Sequence, residues 1–228
     1  MITICPLRGI GEIGEGDDIG AILADALSVL PPETGDILVV TSKILSKAEG
    51  RAVKLENVIP GAKAREIAAT IGKDARLVEL VLAESTDIVR AARGVLITRH
   101  HLGLVMANAG IDCSNVGPES GETALLLPHD PDASAQRIAD AIRMRWGVEL
   151  GVILSDSFGR PWRHGVVNVA IGAAGVPALV DRRGDADRLD IGGVVTARAA
   201  HERVFAAGDR RQELFARRPA HCPGHRRD

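Results

Sequence analysis

Four short segments of the chain carry residues able to do chemistry. Asn108-Ala109-Gly110-Ile111-Asp112-Cys113-Ser114-Asn115 and Ser155-Asp156-Ser157-Phe158-Gly159-Arg160 each follow an apolar, strand-like run, a position from which a loop aims side chains into a cleft. An acid beside a hydroxyl is a hard-oxygen pair suited to Mg2+ or Mn2+, ions that keep several waters and take their remaining ligands from phosphate. Two such loops, with Asp112 and Asp156, can clamp one or two metal ions; the plainer reading of the first is an Asx turn. The third segment, Thr41-Ser42-Lys43-Ile44-Leu45-Ser46-Lys47-Ala48-Glu49-Gly50-Arg51, places hydroxyls, lysines and a glycine at the end of a buried strand. Such a group either binds phosphate oxygens or is a solvated basic turn. Together the three describe a phosphoryl-transfer site. In the fourth, Arg160, Arg163 and His164 surround Trp162 and suit an anionic substrate or a surface turn.

Three other patterns carry less. Gly9-Ile10-Gly11-Glu12-Ile13-Gly14 satisfies the dinucleotide pattern G-x-G-x-x-G, but in that fingerprint the helix opens at the glycines and offers its amides to a pyrophosphate. Here the helix begins only after Glu15, Asp17 and Asp18, whose charges repel a pyrophosphate. The second strand runs into Thr41 and Ser42 rather than the acid that would hold a ribose. Gly72-Lys73 is followed by Asp74 and makes no Walker loop. His100 and His101 are neighbours in a strand, so they face opposite sides, one exposed and one in the core.

The elements that must position these residues are legible as alternating strands and helices. Strands are expected at 2–5, Ile37–Thr41, 95–98, 102–106, 152–154 and 166–171, the third and fourth forming a hairpin around Arg99, His100 and His101. Asp17-Asp18 starts a helix that runs through Leu30 to Pro31-Pro32. A helix with Ala64, Ile67, Ala68 and Ile71 on one face ends at Gly72, and the next carries Leu77, Leu80 and Val81. Asp130-Pro131-Asp132 opens another, with Ile138 and Ile142 as its buried stripe. Strands and helices in no strict βαβ rhythm predict an α+β or irregular α/β arrangement.

Composition excludes several classes. The 228 residues hold 28 Lys+Arg against 30 Asp+Glu, a formal net charge of −2, with three Phe, two Trp and no Tyr. That leaves neither an electrostatic footprint for a phosphate backbone nor aromatics for stacking bases, so nucleic-acid binding is not expected. At 46% hydrophobic and 25% charged the chain is globular rather than disordered. Three widely spaced cysteines form no disulfide or zinc framework and fit a reducing cytoplasm. No apolar run approaches the roughly 18 residues of a membrane span, and the N-terminus lacks the pattern of a signal peptide.

Four longer motifs then stand in register: SKAEGR at 46–51, NAGIDCSN at 108–115, LLLPHDPDASA at 125–135 and SDSFGRPWRHGVVNVAIG at 155–172. In this order and spacing they closely resemble the coenzyme F420:L-glutamate ligase family, also called F420 precursor γ-glutamyl ligase, over about residues 2–187. The resemblance implies a GTP-dependent ligase that adds L-glutamate to the F420 precursor, using Mg2+ or Mn2+ and, in some members, a monovalent cation such as K+. It also implies an α+β fold of mixed, largely antiparallel sheets with flanking helices, in an intertwined homodimer. Carried over residue by residue, Ile10, Gly11, Glu12, Ile13, Ser42, Lys47 and Asn115 would contact the nucleotide, while Asp112, Asp156 and Ser157 would be metal ligands. Arg160 and Arg163 are assigned here to the precursor's phosphodiester or the glutamate carboxylates, because a guanidinium pairs bidentately with either. No base for the glutamate amine is evident.

The chain departs from the family in two places. Gly11 stands where the family usually has Pro, so the turn is not preset in φ. Residues 188–228 lack the family's Met-Gly-Gln or Met-Gly-Glu pattern and form a divergent segment after the 1–187 core. Residues 197–228 hold eight arginines and three histidines against four acids, as translation in a shifted frame would leave, and the last twelve residues are expected to fray. The competing expectations are a catalytically silent relative that keeps the core and the dimer, and, more distantly, a Rossmann-type oxidoreductase.

Overall fold

The computed structural model describes residues 3–113, 122–159 and 164–177, and the backbone of 203–207. Its strands are β1 (Thr3–Pro6), β2 (Ile37–Thr41), β3 (Ala52–Lys54), β4 (Ser85–Ala92), β5 (Val95–His100), β6 (Val105–Ala107), β7 (Thr123–Leu125), β8 (Gly151–Gly159), β9 (Val166–Ala174) and β10 (Arg203–Ala207). Its helices are α1 (Ile19–Ala26), α2 (Ser42–Ala48), α3 (Ala62–Ile71), α4 (Ala75–Ala83) and α5 (Pro131–Trp146).

Near-continuous apolar runs mark strands buried on both faces, and β2, reading Ile-Leu-Val-Val-Thr, lies in the interior of the largest sheet. That sheet has the order β1-β10-β2-β8-β9. Its first three pairings are parallel, and β9 closes it antiparallel to β8. Leu38 and Val40 of β2 and Val152 and Leu154 of β8 have no exposed surface; they pack with Leu23 of α1 and with Ile138 and Ile142 of α5.

The helix signals act where they are written. Asp130 Oδ1 accepts from Ala133 N–H at 2.9 Å, Pro131 occupies the first turn, and Gly147 ends α5 in the left-handed region. Asp18 caps α1 by accepting from Ala21 N–H. This helix stops at Ala26 instead of reaching Leu30, and a 3-10 turn covers Leu27–Val29. Pro31 pushes the residue before it out of the helical region, and Leu30 indeed sits at φ −140°. In α4 the fully buried residues are Val78 and Val81, so the inward face is turned by one residue from the expected Leu77 and Leu80, which are half-buried.

Two smaller sheets complete the fold. β3 pairs antiparallel with β7, and β5 pairs antiparallel with β4 on one side and β6 on the other, which realises the expected hairpin. They cover α3 and α4 through Ala64, Ile71, Val78, Val81, Leu96 and Ala124. Met106, Leu127 and Phe158 join β6 to β8. The architecture is mixed α+β with antiparallel sheets and flanking helices, as expected, except that β1, β10, β2 and β8 run parallel.

β10 lies within the 188–228 segment, in which the sequence indicated no strand; it inserts between β1 and β2. The expected fraying of the last twelve residues lies outside the described residues. Among the described residues, no helix is long and apolar enough to cross a membrane.

α5 rests on β9 at a glycine. A Cβ on Gly172 would stand 2.5 Å from both the carbonyl carbon and Cβ of Pro131, and Pro131 is rigid backbone at a helix start. Gly172→Ala is expected to destabilise the protein by about 1–3 kcal/mol, read as a lowered urea midpoint; an unchanged midpoint would show that α5 can shift away at little cost.

Candidate functional site

The parallel register of β2 and β8 builds the first half of the site. Thr41 of β2 is the register partner of Ser155 of β8, so the next residues, Ser42 and Asp156, meet beyond the pair. Ser42 is buried at the start of α2, and its Oγ–H donates to Asp156 Oδ1 at 2.8 Å. Ser157 follows in β8 and therefore faces the other way. Its hydroxyl is exposed and donates to Asn168 Oδ1 at 3.0 Å, so the structure does not bring the expected third metal-ligand side chain to this group.

Asp112 arrives by a different route. After β6 the chain passes through Asn108, Ala109 and Gly110 with φ of 50°, 52° and 72°, three consecutive left-handed residues, a conformation open to the glycine, tolerated by asparagine and strained for Ala109. A side chain at Gly110 would also collide with Met106 and Leu127. Lys73 Nζ donates to Asn108 Oδ1 at 2.7 Å, and Ile111 N–H donates to Asn108 O at 2.9 Å. The chain leaves this turn and Asp112 exchanges two backbone hydrogen bonds with Leu125, at 2.8 and 3.0 Å. With its backbone held this way, its carboxylate forms an ion pair with Lys43 Nζ. Lys43 follows Ser42, so one dipeptide of α2 engages both acids.

The electrostatics agree with a shared site. Burial pushes the Asp156 carboxyl above the ordinary carboxylate range; the Ser42 hydroxyl, the Ser157 N–H and the Lys43 ammonium oppose the rise, and the charge of Asp112 adds to it. Asp156 therefore senses both Asp112 and Lys43. Burial likewise pushes the Cys113 thiol up, with Asp112 and Asp74 adding to it, and lowers the Lys73 ammonium. The donor set suits a hard divalent cation: two carboxylates from separate elements. Among the described residues no group of three His, Cys, Asp or Glu gathers, but Mg2+ and Mn2+ with phosphate and water as further ligands need no third acid.

The loop between β1 and α1 lies at the other end of α2. Gly16 N–H donates to Ala48 O at 2.9 Å, and Glu15 packs so closely on Gly50 that a Cβ there would be 2.7 Å from its Oε1. Ile10 and Ile13 are buried in the main core, so they offer a ligand only backbone, while Gly11 and Glu12 are exposed. Lys47 stands one turn after Lys43 on the same helix face. Asn115, Arg160 and Arg163 lie outside the described residues.

The clasps that hold α2 join segments distant in the sequence. Glu49 accepts from Ser134 Oγ at 2.6 Å and from His129 N–H at 2.9 Å. Arg51 donates to Leu127 O at 2.8 Å and to Glu84 Oε2 at 2.6 Å. His100 is buried and His101 exposed, as expected. His100 Nε2 lies 3.3 Å from Glu84 Oε2 without hydrogen-bond alignment, and Leu102 N–H donates to its Nδ1 at 3.0 Å. His100, then Arg51, hold the Glu84 carboxyl below the ordinary range against its burial. Glu49 and Arg51 are thus engaged in packing rather than turned to phosphate. No local spacing connects Arg51, Glu84 and His100.

Residues 9–210 match the family model described as F420-0:Gamma-glutamyl ligase. The chain is 43% identical over 176 residues to the Coenzyme F420:L-glutamate ligase of Methanopyrus kandleri, an alignment that covers 77% of this chain and 68% of that protein. To the protein of the same name from Methanothermobacter thermautotrophicus it is 42% identical over 188 residues, covering 82% and 73%. The Halobacterium salinarum protein of that name is 39% identical over 207 residues, covering 88% and 78%.

The raised pKa of Asp156 has a consequence for stability. Because the folded value lies above the ordinary 3.8, the fold loses stability as pH rises from the ordinary value through the folded one, and keeps that loss above it. In metal-free protein, Asp156→Asn is therefore expected to raise the melting temperature at about pH 7, with a gain that shrinks as the pH falls toward about 4. A variant that melts below wild type at neutral pH would contradict this account.

Proposed function

The chain belongs to the F420-0:Gamma-glutamyl ligase family, and from that premise we propose that it joins L-glutamate to the coenzyme F420 precursor at the expense of GTP. The observation that supports this reading best is that Asp112 and Asp156, from separate elements, are drawn to the same dipeptide of α2. Two acids drawn to α2, together with the two lysines on one face of that helix, suit a triphosphate.

A carboxylate is a poor acyl electrophile, so it is first activated. An oxygen of the precursor's carboxylate attacks the γ-phosphorus of GTP, the bond to the β-phosphate oxygen breaks, and GDP leaves. The glutamate amine then attacks the acyl carbon of the acyl phosphate, inorganic phosphate departs with the bonding pair, and the amine gives up a proton as the amide forms. Mg2+ or Mn2+ held by Asp112 and Asp156 would supply Lewis-acid neutralisation of the phosphate oxygens. Lys47 neutralises charge that develops on the transferring group, a role in which a preorganised charge is worth most. Ser42 orients the Asp156 carboxylate, and the backbone of residues 10–13 with Gly11 and Glu12 lines the nucleotide.

A two-copy assembly belongs to the same proposal. β4 is an edge strand, exposed along most of its length, with Ile88 and Val89 uncovered, and Val95 of β5 and Val105 of β6 are exposed in the same sheet. Long exposed apolar edges invite pairing with another chain.

The test is to incubate the purified chain with precursor, GTP, Mn2+ and L-glutamate and weigh the product by mass spectrometry. A product heavier by glutamate residues, with GDP released only when the precursor is present, is expected. Asp112→Asn is expected to lower kcat by at least about 100-fold. Absence of any glutamylated product, or equal turnover in the variant, would overturn the reading.

A further inference from the structure

Two converging carboxylates repel each other unless a cation stands between them, and this chain supplies one of its own. The side chains of Lys43 and Asp112 form an ion pair only 16% and 32% exposed, so the ammonium is committed to the site rather than waving in solvent. Its neighbour Ser42 holds Asp156 at 2.8 Å. The other lysine near this loop is engaged elsewhere, since Lys73 donates to Asn108.

We propose that Lys43 is a resident counter-cation of the Asp112–Asp156 pair, which holds the pair together in the metal-free protein and competes with the divalent ion for Asp112. This rests on the reading of the two aspartates as the metal pair. The competition follows from occupancy: a site whose ligand is engaged most of the time binds with an affinity reduced by the free fraction. An ammonium displaced from Asp112 stays on the α2 face that also carries Lys47, where a triphosphate offers it new oxygens. Lys43 therefore penalises metal without nucleotide and relieves that penalty when nucleotide arrives. By linkage, metal and nucleotide each strengthen the other's binding. Lys43 acts here as a positioning residue, through the carboxylate it holds.

The test follows Mn2+ binding by the paramagnetic resonance of free Mn2+, with and without a non-hydrolysable GTP analogue, in wild type and in Lys43→Met, Lys43→Gln, Lys43→Arg and Asp156→Asn. Wild type is expected to bind Mn2+ more tightly with the analogue than without it. Lys43→Met should bind Mn2+ alone about tenfold more tightly and lose most of the gain from the analogue, while melting lower than wild type when metal-free. Lys43→Gln serves the same purpose if the methionine variant does not fold, and Lys43→Arg, which keeps the charge, should behave as wild type. A merely structural lysine would lower the melting temperature and leave Mn2+ affinity unmoved. If wild type binds Mn2+ at a site lost in Asp156→Asn, yet neither neutral variant binds more tightly, Lys43 is not a competitor and the inference falls alone. If no Mn2+ binding depends on Asp156, the metal reading falls with it.

Discussion

Parallel strands present their carboxyl ends at a common edge of the sheet, and ligand sites of α/β sheets gather there. β2 uses this property: the register that pairs Thr41 with Ser155 leaves Ser42 beside Asp156 where β2 ends, while β8 runs on to Gly159 paired with β9. The apolar residues upstream, Leu38, Val40, Val152 and Leu154, make that register costly to change, because a slip by one residue would exchange these fully buried side chains with the half-buried Val39 and Ile153. The core of the main sheet and the geometry of the site are therefore set by the same pairing.

Around that fixed point the molecule spends conformational strain and buried charge. Ala109 adopts left-handed backbone without the freedom of glycine, at a cost on the order of 1–3 kcal/mol, and Lys73 and the Asp112–Leu125 bridge hold the turn in place. Burial raises the Asp156 pKa even though Ser42, the Ser157 N–H and Lys43 oppose the rise. Such features weaken the fold where they stand and are retained at sites that need a particular side chain aimed in a particular direction. The clasps through Glu49, Arg51 and Glu84 fasten α2 at its far end, so that its first two residues can face the acids without moving.

Charge in this site is arranged as a set rather than as isolated residues. A lysine on α2 pairs with one acid and lies in the field of the other, while the hydroxyl beside it orients the second. Removing any member changes what the others experience, so the effects of substitutions here are not expected to add.

Some of this was legible in the amino-acid order. Caps at Asp18 and Asp130, the apolar run of β2, the stripe of Ile138 and Ile142, the division of His100 from His101, and the failure of the glycine pattern to open a helix all depend on neighbours within a few residues. The four motifs in register identified the family from residue types and spacing alone. Other features arise only from tertiary structure. The outward face of Ser157, the core burial of Ile10 and Ile13, the Arg51–Glu84–His100 group, the insertion of β10 between β1 and β2, and the ion pair of Lys43 with Asp112 each join segments whose separation along the chain carries no periodic signal. Hydrogen-bonding propensity and amphipathic period act locally and are written in the sequence; which distant carboxylate meets which lysine is decided by the packing of whole sheets and helices, and so appears only once the chain is folded.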